Sequence, residues 1–268
     1  MTLGCTNSSW TSSGRSRVSG HSKWSSIKHK KGAADAKRGK LFSKLSRAII
    51  VAAKEGGGDP TNNLSLQNAI EKAKSYSMPK DNIDRAIAKG SGADADADAF
   101  ETIVYEGYGP EGVAVIVEAL TDNRNRTAAD VRHLFAKNGG NLGATGAVSW
   151  QFDRRGVVVV PADGVDDEEL LLVAADGGAD DLERDGDAFQ VTSAPESLTS
   201  VREAIETAGF TVESAELQLV PKTTVAVEDE AKARQVMRLI DELEDNDDVQ
   251  DVYANFDIPE SVLEAVAS

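Results

Sequence analysis

Apolar residues recur every three or four positions along residues 34–54, and this spacing predicts an amphipathic helix. Three consecutive glycines end that helix, because glycine disfavours helical backbone. Asp59 and Pro60 then predict a second helix over residues 60–76, with the aspartate as its cap and the proline in its first turn. A shorter third helix is predicted over residues 79–90. The pattern therefore indicates a bundle of three helices.

Beyond residue 100 the apolar positions change to an alternation of short strands and helices. The predicted elements are, in order, strands over 102–105 and 113–120, a helix over 127–137, strands over 147–152 and 157–160, a helix over 166–175, strands near 181–183 and 188–192, a helix over 195–208, strands over 212–219 and 223–227, a helix over 229–243 and a strand over 249–256. The middle of this series is a β-α-β-β-α-β pattern, which suits a ferredoxin-like sandwich. The last strand, helix and strand, over residues 223–256, cannot bury their apolar faces against one another alone. We therefore expect them to complete the unit that begins near residue 100.

These elements predict an α+β multidomain fold. A small N-terminal helical bundle is followed by two ferredoxin-like α/β sandwich domains, with the third domain inserted into the second. The acidic sequence GADADADA after the bundle is interpreted as a linker. The predicted divisions are a disordered extension over 1–19, a basic helical domain over 20–98, a discontinuous α/β domain over 99–155 plus 220–258, and an inserted ferredoxin-like α/β domain over 156–219.

Charge divides the chain into a basic beginning and an acidic remainder. Residues 1–90 hold 17 Lys and Arg against 6 Asp and Glu, a net charge of +11, whereas the whole protein carries −16. The remaining residues therefore carry −27. The basic charge is concentrated in residues 20–49, where nine Lys and Arg accompany a single acid, Asp35. Such a concentration is typical of a surface that binds a phosphate-rich polymer.

Helical geometry sharpens this interpretation. Lys37, Lys40, Lys44 and Arg47 fall in one stripe of the first predicted helix, beside its apolar stripe, so the helix could dock on a core and point these cations outward. Arg38 lies nearer the apolar stripe. The helix follows a run of basic residues that comprises Lys28, His29, Lys30 and Lys31. The alternative is an ordinary solvated charged face, but a face of one sign next to such a run favours nucleic acid.

Three further features are candidate contacts. Trp24 follows Lys23 in the basic segment, where it could stack on a base or anchor the segment to the bundle. Arg124 and Arg126 belong to the sequence DNRNR, which is predicted as a loop that either clamps phosphate or only turns the chain. The sequence NGGNLGATG leads into a predicted strand, so it favours a turn with tight backbone approach over a phosphate-binding loop.

The sequence carries little sign of other chemistry. Its single cysteine, Cys5, excludes disulfides and thiolate metal sites and fits a reducing cytoplasm. His21 and His29 lack ligands at metal spacing, and no catalytic motif is present, so we expect neither an enzyme nor a cofactor nor a small-molecule substrate. No apolar run is long enough to span a membrane. The acidic runs at 166–169 and 245–248 are interpreted as solvated surface.

Five motifs, in order, resemble the YebC family. They are GHSKW at 20–24, RGKLFSKL at 38–45, MPKDNIDRAI at 78–87, YEGYGPEGVAVIVEALTDNRNRT at 105–127 and NGGNLGATGAVSWQF at 138–152. The resemblance implies a helical head and two α/β domains in a DNA-binding transcriptional regulator of the bacterial cytoplasm. Relatives that include the mitochondrial translational activator of cytochrome c oxidase act instead in translation at the ribosome. Residues 1–17 lie outside the resemblance, so we expect translation to begin at Val18, where a GTG codon could initiate.

The predicted function is that of a nucleic-acid-binding regulator, a DNA-binding transcriptional regulator with a basic helical head. A ribosome-associated translation factor that binds rRNA or tRNA is the alternative, and a protein-interaction scaffold is a third possibility. Lysines serve the phosphates of DNA and RNA alike, whereas the acidic body favours a large RNA–protein partner. The candidate nucleic-acid-binding residues are Lys23, Trp24, Lys28, His29, Lys30, Lys31, Lys37, Arg38, Lys40, Lys44, Arg47, Arg124 and Arg126.

Overall fold

The structure is a computed structural model that describes residues 35–92 and 100–267. The predicted N-terminal extension and most of the predicted linker lie outside these residues. The helices and strands are, in chain order, α1 (Asp35–Gly56), α2 (Leu64–Ser75), α3 (Lys80–Ser91), β1 (Glu101–Tyr108), β2 (Ala114–Thr121), α4 (Arg124–Lys137), β3 (Asn141–Leu142), β4 (Phe152–Pro161), α5 (Asp167–Asp176), β5 (Ala179–Asp185), β6 (Ala188–Ser193), α6 (Leu198–Thr207), β7 (Ser214–Pro221), β8 (Val225–Ala226), α7 (Glu230–Glu244), β9 (Val249–Ala254), β10 (Phe256–Asp257) and α8 (Glu260–Ala267). The chain is thus mixed α/β, with a helical N-terminal region and antiparallel sheets.

The first three helices, α1 to α3, form a bundle that we call the head. Their buried apolar side chains form one cluster, which includes Leu45, Ile49, Ala53, Leu66, Ile70, Ala73, Ile83 and Ala86. α3 approaches α1 closely at Gly90, where an added Cβ would lie 2.3 Å from the carbonyl oxygen of Ile50. Gly90 therefore lies inside α3 as a packing residue and does not end the helix as predicted.

The second helix begins at Leu64, later than predicted. Its cap is Asn63, whose Oδ1 accepts a hydrogen bond from the Leu66 amide at 3.1 Å. The Nδ2 of Asn63 also donates to the carbonyl oxygen of Ala52, at 2.7 Å, which fastens the start of α2 to the end of α1. Asp59 instead closes a turn by accepting the Thr61 amide. Both residue types are good caps, so the local sequence did not decide between them.

The first sheet has the strand order β3-β1-β2-β9, and all its neighbouring strands are antiparallel. β9 pairs with β2 from far along the chain, with Val249 opposite Ala119. Helices α4, α7 and α8 contribute Phe135, Leu239 and Leu263 to the apolar cluster against this sheet. Because β1 and β2 form a hairpin and lie side by side, this unit differs from the ferredoxin-like sandwich that was predicted for it.

The second sheet has the order β5-β6-β4-β7 and is also antiparallel throughout. Its chain order, β4-α5-β5-β6-α6-β7, follows the predicted series of strands and helices. Helices α5 and α6 pack Leu170, Val201 and Ile205 against β4 and β6. β4 runs unbroken through residues 153–155, where a break was predicted. A short parallel pair of strands, β8 and β10, makes a third, two-stranded sheet in the described chain.

The strand predicted over 147–152 is wrong. Residues Ser149–Gln151 form one turn of 3₁₀ helix, and the chain before them folds around the side chain of Glu106. The Glu106 carboxylate accepts hydrogen bonds from the amides of Gly146, Val148 and Ser149 at 2.7–2.8 Å. These amides are therefore directed at one buried carboxylate instead of a neighbouring strand, and we call residues 143–149 the Glu106 loop.

Candidate nucleic-acid interface

The predicted binding residues fall into three groups. Six lie outside the described residues, namely Lys23, Trp24, Lys28, His29, Lys30 and Lys31. Lys37 and Arg38 belong to the first turns of α1, where the structure describes the backbone alone. The side chains of Lys40, Lys44, Arg47, Arg124 and Arg126 are all described, and they carry the geometry that follows.

The cationic stripe of α1 faces the turn between α7 and β9. Lys40 is 57% exposed, and its Nζ lies 3.8 Å from Asp247 Oδ1. Lys44 donates from its Nζ to the carbonyl oxygen of Glu244. Arg47 Nη1 donates to the carbonyl oxygen of Asp247 at 3.0 Å, and it lies over the ring of Phe100 with its guanidinium carbon 5.1 Å from the ring centre. The predicted outward orientation is therefore wrong for Lys44 and Arg47.

Asp248 joins the two predicted basic sites. Its Oδ1 lies 3.3 Å from Arg47 Nη1, and its Oδ2 lies 2.8 Å from Arg126 Nη2. The hydroxyls of Thr121 and Thr127 also donate to Oδ2, at 3.2 and 2.7 Å. Burial alone would raise the pKa of Asp248, but the hydrogen bonds from Arg126, Thr127 and Thr121 outweigh it and lower that pKa. This carboxylate is therefore held ionised between the two arginines.

The residues 245–248, which we call the acidic turn, were interpreted as solvated surface, and for Asp248 that interpretation was wrong because only 6% of it is exposed. No local pattern separates Asp248 from its neighbours. A weak signal was present, since an acidic run and a basic stripe in one chain are obvious mutual partners.

Arg124 and Arg126 lie in the first turn of α4, and the loop predicted for them is wrong. Asn123 caps this helix through its Oδ1, which accepts the Arg126 amide at 3.1 Å. Thr127, where the helix was predicted to begin, instead lies inside α4 and is buried. Arg126 is committed to Asp122 and Asp248. Both side chains are exposed, but Arg126 is held by two carboxylates, so Arg124 is the one of the two that is open to an outside phosphate.

Lys72 is a cation that the sequence interpretation missed. It projects from α2 and forms an ion pair with Asp251 of β9. Its Nζ also lies 4.0 Å from Glu216 Oε2 of β7. Burial alone would lower the pKa of Lys72, but the nearby carboxylates of Asp251 and Glu216 raise it well above its ordinary value. Lys72 thus remains charged and ties the head to both four-stranded sheets.

A polar cavity of about 230 Å³ adjoins Lys72 where the head meets both four-stranded sheets. Charged residues of both signs line it, and they include Glu71, Glu118, Arg154 and Arg202. Burial is the main reason that the pKa of Glu118 is raised, and the nearby Asp251 adds to it. Arg202 Nη1 lies 3.0 Å from Glu71 Oε2, so a second ion pair links the head to α6.

The exposed cations of the head lie away from the acidic turn or at its rim. They are Lys40, Lys54, Lys74, Lys80, Arg85 and Lys89. Burial is the main reason that the pKa of Lys44 is lowered, although Glu244, Asp247 and Asp245 oppose the shift. The head therefore has two sets of cations. One set is exposed, and the other, which comprises Lys44, Arg47 and Lys72, contacts carboxylate or carbonyl oxygens of the rest of the protein.

The glycine-rich sequence after α4 is a turn with close backbone approach, as predicted. A Cβ at Gly140 would lie 2.6 Å from the carbonyl oxygen of Tyr108, and one at Gly107 would lie 2.7 Å from that of Asn141. Both contacts are between β1 and the chain that enters β3. Side chains at either position would push these segments apart.

Two features of the described residues bear on other functions. Within residues 35–92 and 100–267, no helix combines the length and apolar character needed to cross a membrane. In the same ranges, His, Cys, Asp and Glu side chains form no group of three or more that could hold a metal ion.

Comparison with known proteins identifies the family. The model of the TACO1/YebC N-terminal domain matches residues 22–93, and that of the TACO1/YebC second and third domains matches residues 100–256. A "probable transcriptional regulatory protein" of Rubrobacter xylanophilus is 58% identical over 250 residues, which cover 93% of this chain and all of the relative. One of Geobacter sulfurreducens is 54% identical over 247 residues, which cover 92% of this chain and 99% of the relative. The crystal structure of a conserved hypothetical protein from Aquifex aeolicus has a TM-score of 0.76 and 50% identity, and the match covers 84% of this chain and 93% of that one. The chain belongs to the TACO1/YebC family.

Proposed function

We propose that this protein is a nucleic-acid-binding regulator whose basic N-terminal segment and head contact phosphates. The observation that carries the proposal is the charge of residues 20–49, which hold nine Lys and Arg beside one acid in a protein of net charge −16. Phosphate contacts supply most of the sequence-independent affinity for nucleic acid. The names of the relatives, "probable transcriptional regulatory protein", support a regulatory role. Duplex DNA is the proposed target, and the proposed role in the cytoplasm is one of binding and not of catalysis.

The described geometry supports a head that presents cations on several sides. Lys40 lies on α1 close to the basic segment, and Lys74, Lys80 and Lys89 are exposed on the other two helices. Arg124 is an exposed cation outside the head, at the start of α4. We propose Lys28, Lys30, Lys31, Lys37 and Lys40 as the main phosphate contacts, with Arg124 as a weaker second contact.

We also propose the division of the chain into a head, a discontinuous α/β domain over 99–155 plus 220–258, and a ferredoxin-like domain over 156–219 inserted into it. The pairing of β9 with β2 supports the discontinuous domain, because it joins strands on both sides of the insertion. The separate apolar cluster under β4 and β6 supports the inserted one. Limited proteolysis that released residues 156–219 as a folded fragment would support this division.

The test of DNA binding uses two variants with the same change of charge. Replacing Lys28, Lys30 and Lys31 with Gln should weaken binding to a labelled duplex strongly, whereas replacing Lys74, Lys80 and Lys89 with Gln should weaken it less. For about five to eight phosphate contacts, the logarithm of the association constant should fall with the logarithm of salt concentration with a slope of roughly −4 to −7. A slope near zero, or equal losses in the two variants, would contradict the proposal.

Ribosome association is the second candidate, and the net charge of −27 beyond residue 90 favours it. An acidic body repels free nucleic acid but suits an assembly that is rich in basic protein. Sedimentation of cell extract at physiological salt separates the two functions. A ribosome-bound fraction that the Lys28, Lys30 and Lys31 variant loses would favour the translation role, whereas recovery with DNA alone would favour transcription.

A further inference from the structure

The head contacts the rest of the described chain mainly through charged groups. Its apolar cluster is built from residues between 41 and 87, all within the head. Across the interface, four head cations meet carboxylate or carbonyl oxygens, in the pairs Lys40–Asp247, Lys44–Glu244, Arg47–Asp248 and Lys72–Asp251. In a fifth pair the polarity is reversed, and the head carboxylate of Glu71 meets Arg202. An interface of this polar kind permits relative motion of the units that it joins.

Four of the five head groups in these pairs are cations, and three belong to the stripe that was predicted to bind phosphate. Their partners, oxygens of Glu244, Asp247 and Asp248, are anionic or carbonyl acceptors in the places that phosphate oxygens would take. A polyanion and the acidic turn therefore use the same side of α1. They cannot occupy Lys44 and Arg47 at the same time.

Lys72 adds a second reason to regard the contact as specific. Asp251 lies directly opposite Glu118 on the paired strands β9 and β2. Like charges opposite each other destabilise a sheet, and the cation of Lys72 beside Asp251 offsets that repulsion. The head thus supplies positive charge to this edge of the first sheet through Lys72, in addition to that of Arg154 from β4.

We propose that the acidic turn, together with Asp251, is an intramolecular competitor for nucleic acid, which docks on the head and hides Lys44, Arg47 and Lys72 until a polyanion displaces it. This inference rests on the proposed function, because it describes the regulation of the same basic surface. The docked form binds through the exposed cations alone, and the released form binds through the whole stripe. The measured affinity for nucleic acid then rises with the fraction of molecules in which the acidic turn has left the head.

The test removes charge from the competitor without changing its shape. The variant Asp247→Asn/Asp251→Asn loses two negative charges at the interface. The matched control, Asp163→Asn/Glu206→Gln, loses two at exposed positions of the acidic body. Head position is read by energy transfer between dyes at Glu55→Cys and Thr207→Cys in a Cys5→Ser background, with no nucleic acid present. Affinity is read separately with a labelled duplex of DNA.

We expect the interface variant to show altered energy transfer and roughly tenfold tighter DNA binding, as released fraction and affinity rise together. The control should keep wild-type transfer and change its affinity by less than about twofold, because distant charges are screened. Raising KCl from about 0.05 to about 0.5 M should shift the transfer of the wild type toward that of the variant, since partly exposed ion pairs weaken with salt.

The outcomes separate this inference from the proposed function. Unchanged transfer in the variant, or an equal gain of affinity in variant and control, overturns the competitor while leaving DNA binding intact. Failure of every protein to bind DNA refutes the proposed function and the competitor with it, even if the transfer changes. If the variant does not fold, the salt titration of the wild type decides, and transfer that does not respond to salt overturns the inference.

Discussion

At the scale of single residues, two buried carboxylates, Asp248 and Glu106, each gather several hydrogen-bond donors. Asp248 gathers Arg47, Arg126 and two threonine hydroxyls around one side chain. Glu106 gathers three backbone amides and thereby shapes the Glu106 loop. A buried carboxylate is stable only when such donors surround it, so each of these groups should be sensitive to isosteric replacement.

The first prediction concerns Glu106→Gln. Glutamine keeps one acceptor oxygen and brings an amide nitrogen against at least one backbone N–H, which leaves a buried donor without a partner. We expect the free energy of unfolding to fall by about 1–3 kcal/mol. Urea unfolding measures it, with Glu101→Gln on the exposed start of the same strand as the control, expected to stay within about 0.5 kcal/mol of wild type. Equal stability of the two variants would show that the Glu106 loop does not depend on this carboxylate.

The second prediction concerns acid. Burial would raise the pKa of Glu106, but its backbone hydrogen bonds outweigh burial and lower that pKa below the ordinary 4.5, and the pKa of Asp248 is lowered below 3.8. Folding therefore releases protons from both groups, so their contribution is complete above those ordinary values and is lost as pH falls through the lowered ones. Glu118, with its raised pKa, acts in the opposite direction.

Unfolding free energy should accordingly decline below about pH 4.5 in the wild type and decline less steeply in Glu106→Gln, because a titrating group has been removed. Urea titrations at several pH values measure the slope. Parallel slopes for the two proteins would mean that Glu106 titrates alike in the folded and unfolded chain.

At the scale of elements, the start of α4 separates two arginines that look equivalent in sequence. Both side chains are exposed, but Arg126 is held by the carboxylates of Asp122 and Asp248. Replacing Arg126 with Gln should lower the melting temperature, because Asp248 loses its shortest arginine contact. Arg124→Gln is its matched control and should stay within about 0.5 kcal/mol of wild type while weakening nucleic-acid binding. The reverse order of stabilities would place Arg126 in the role of the free cation.

Elements with a strong local pattern could be predicted, and those that depend on distant partners could not. The periodicity of α1 and the β-rich composition of β1 and β2 locate these elements to within a few residues. The Glu106 loop escaped prediction because a side chain on another strand sets its shape. Lys40, Lys44 and Arg47 of the predicted stripe do lie on one side of α1, but periodicity tells which residues share a face and not what that face contacts. Its docking on the acidic turn joins positions about 200 apart.

At the scale of the whole molecule, charge is distributed so that the basic head and the acidic body attract each other. The head supplies Lys44, Arg47 and Lys72, and the body supplies the acidic turn and Asp251. The positive charge of the head therefore lies against negative charge of the body. This attraction offsets the repulsion among the cations of the head, in a protein whose net charge is −16.

The last prediction concerns the N-terminus. Removing residues 1–17 should leave unfolding and nucleic-acid binding unchanged, because the matched N-terminal family domain begins at residue 22. Removing residues 1–34 should leave the helices of the head folded but reduce binding strongly, since Lys28, Lys30 and Lys31 are lost with it. Circular dichroism and binding assays measure both. Loss of binding on the shorter deletion would assign a function to residues 1–17.

The pairing of β9 with β2 has a consequence for how the protein is made. Ala119 can pair only after Val249 has been synthesised, and Val249 lies 130 residues later in the chain (249 − 119). At roughly 5–20 residues per second, synthesis of that stretch takes about 6–26 s. The head and the unit of β4 to β7 are each continuous in sequence and can fold as the nascent chain emerges. α4 follows β2 directly and can cover part of the apolar face of the β1–β2 hairpin, but the part that α7 and α8 cover must meanwhile stay exposed. This hairpin is therefore the segment of the newborn protein that most needs protection from aggregation.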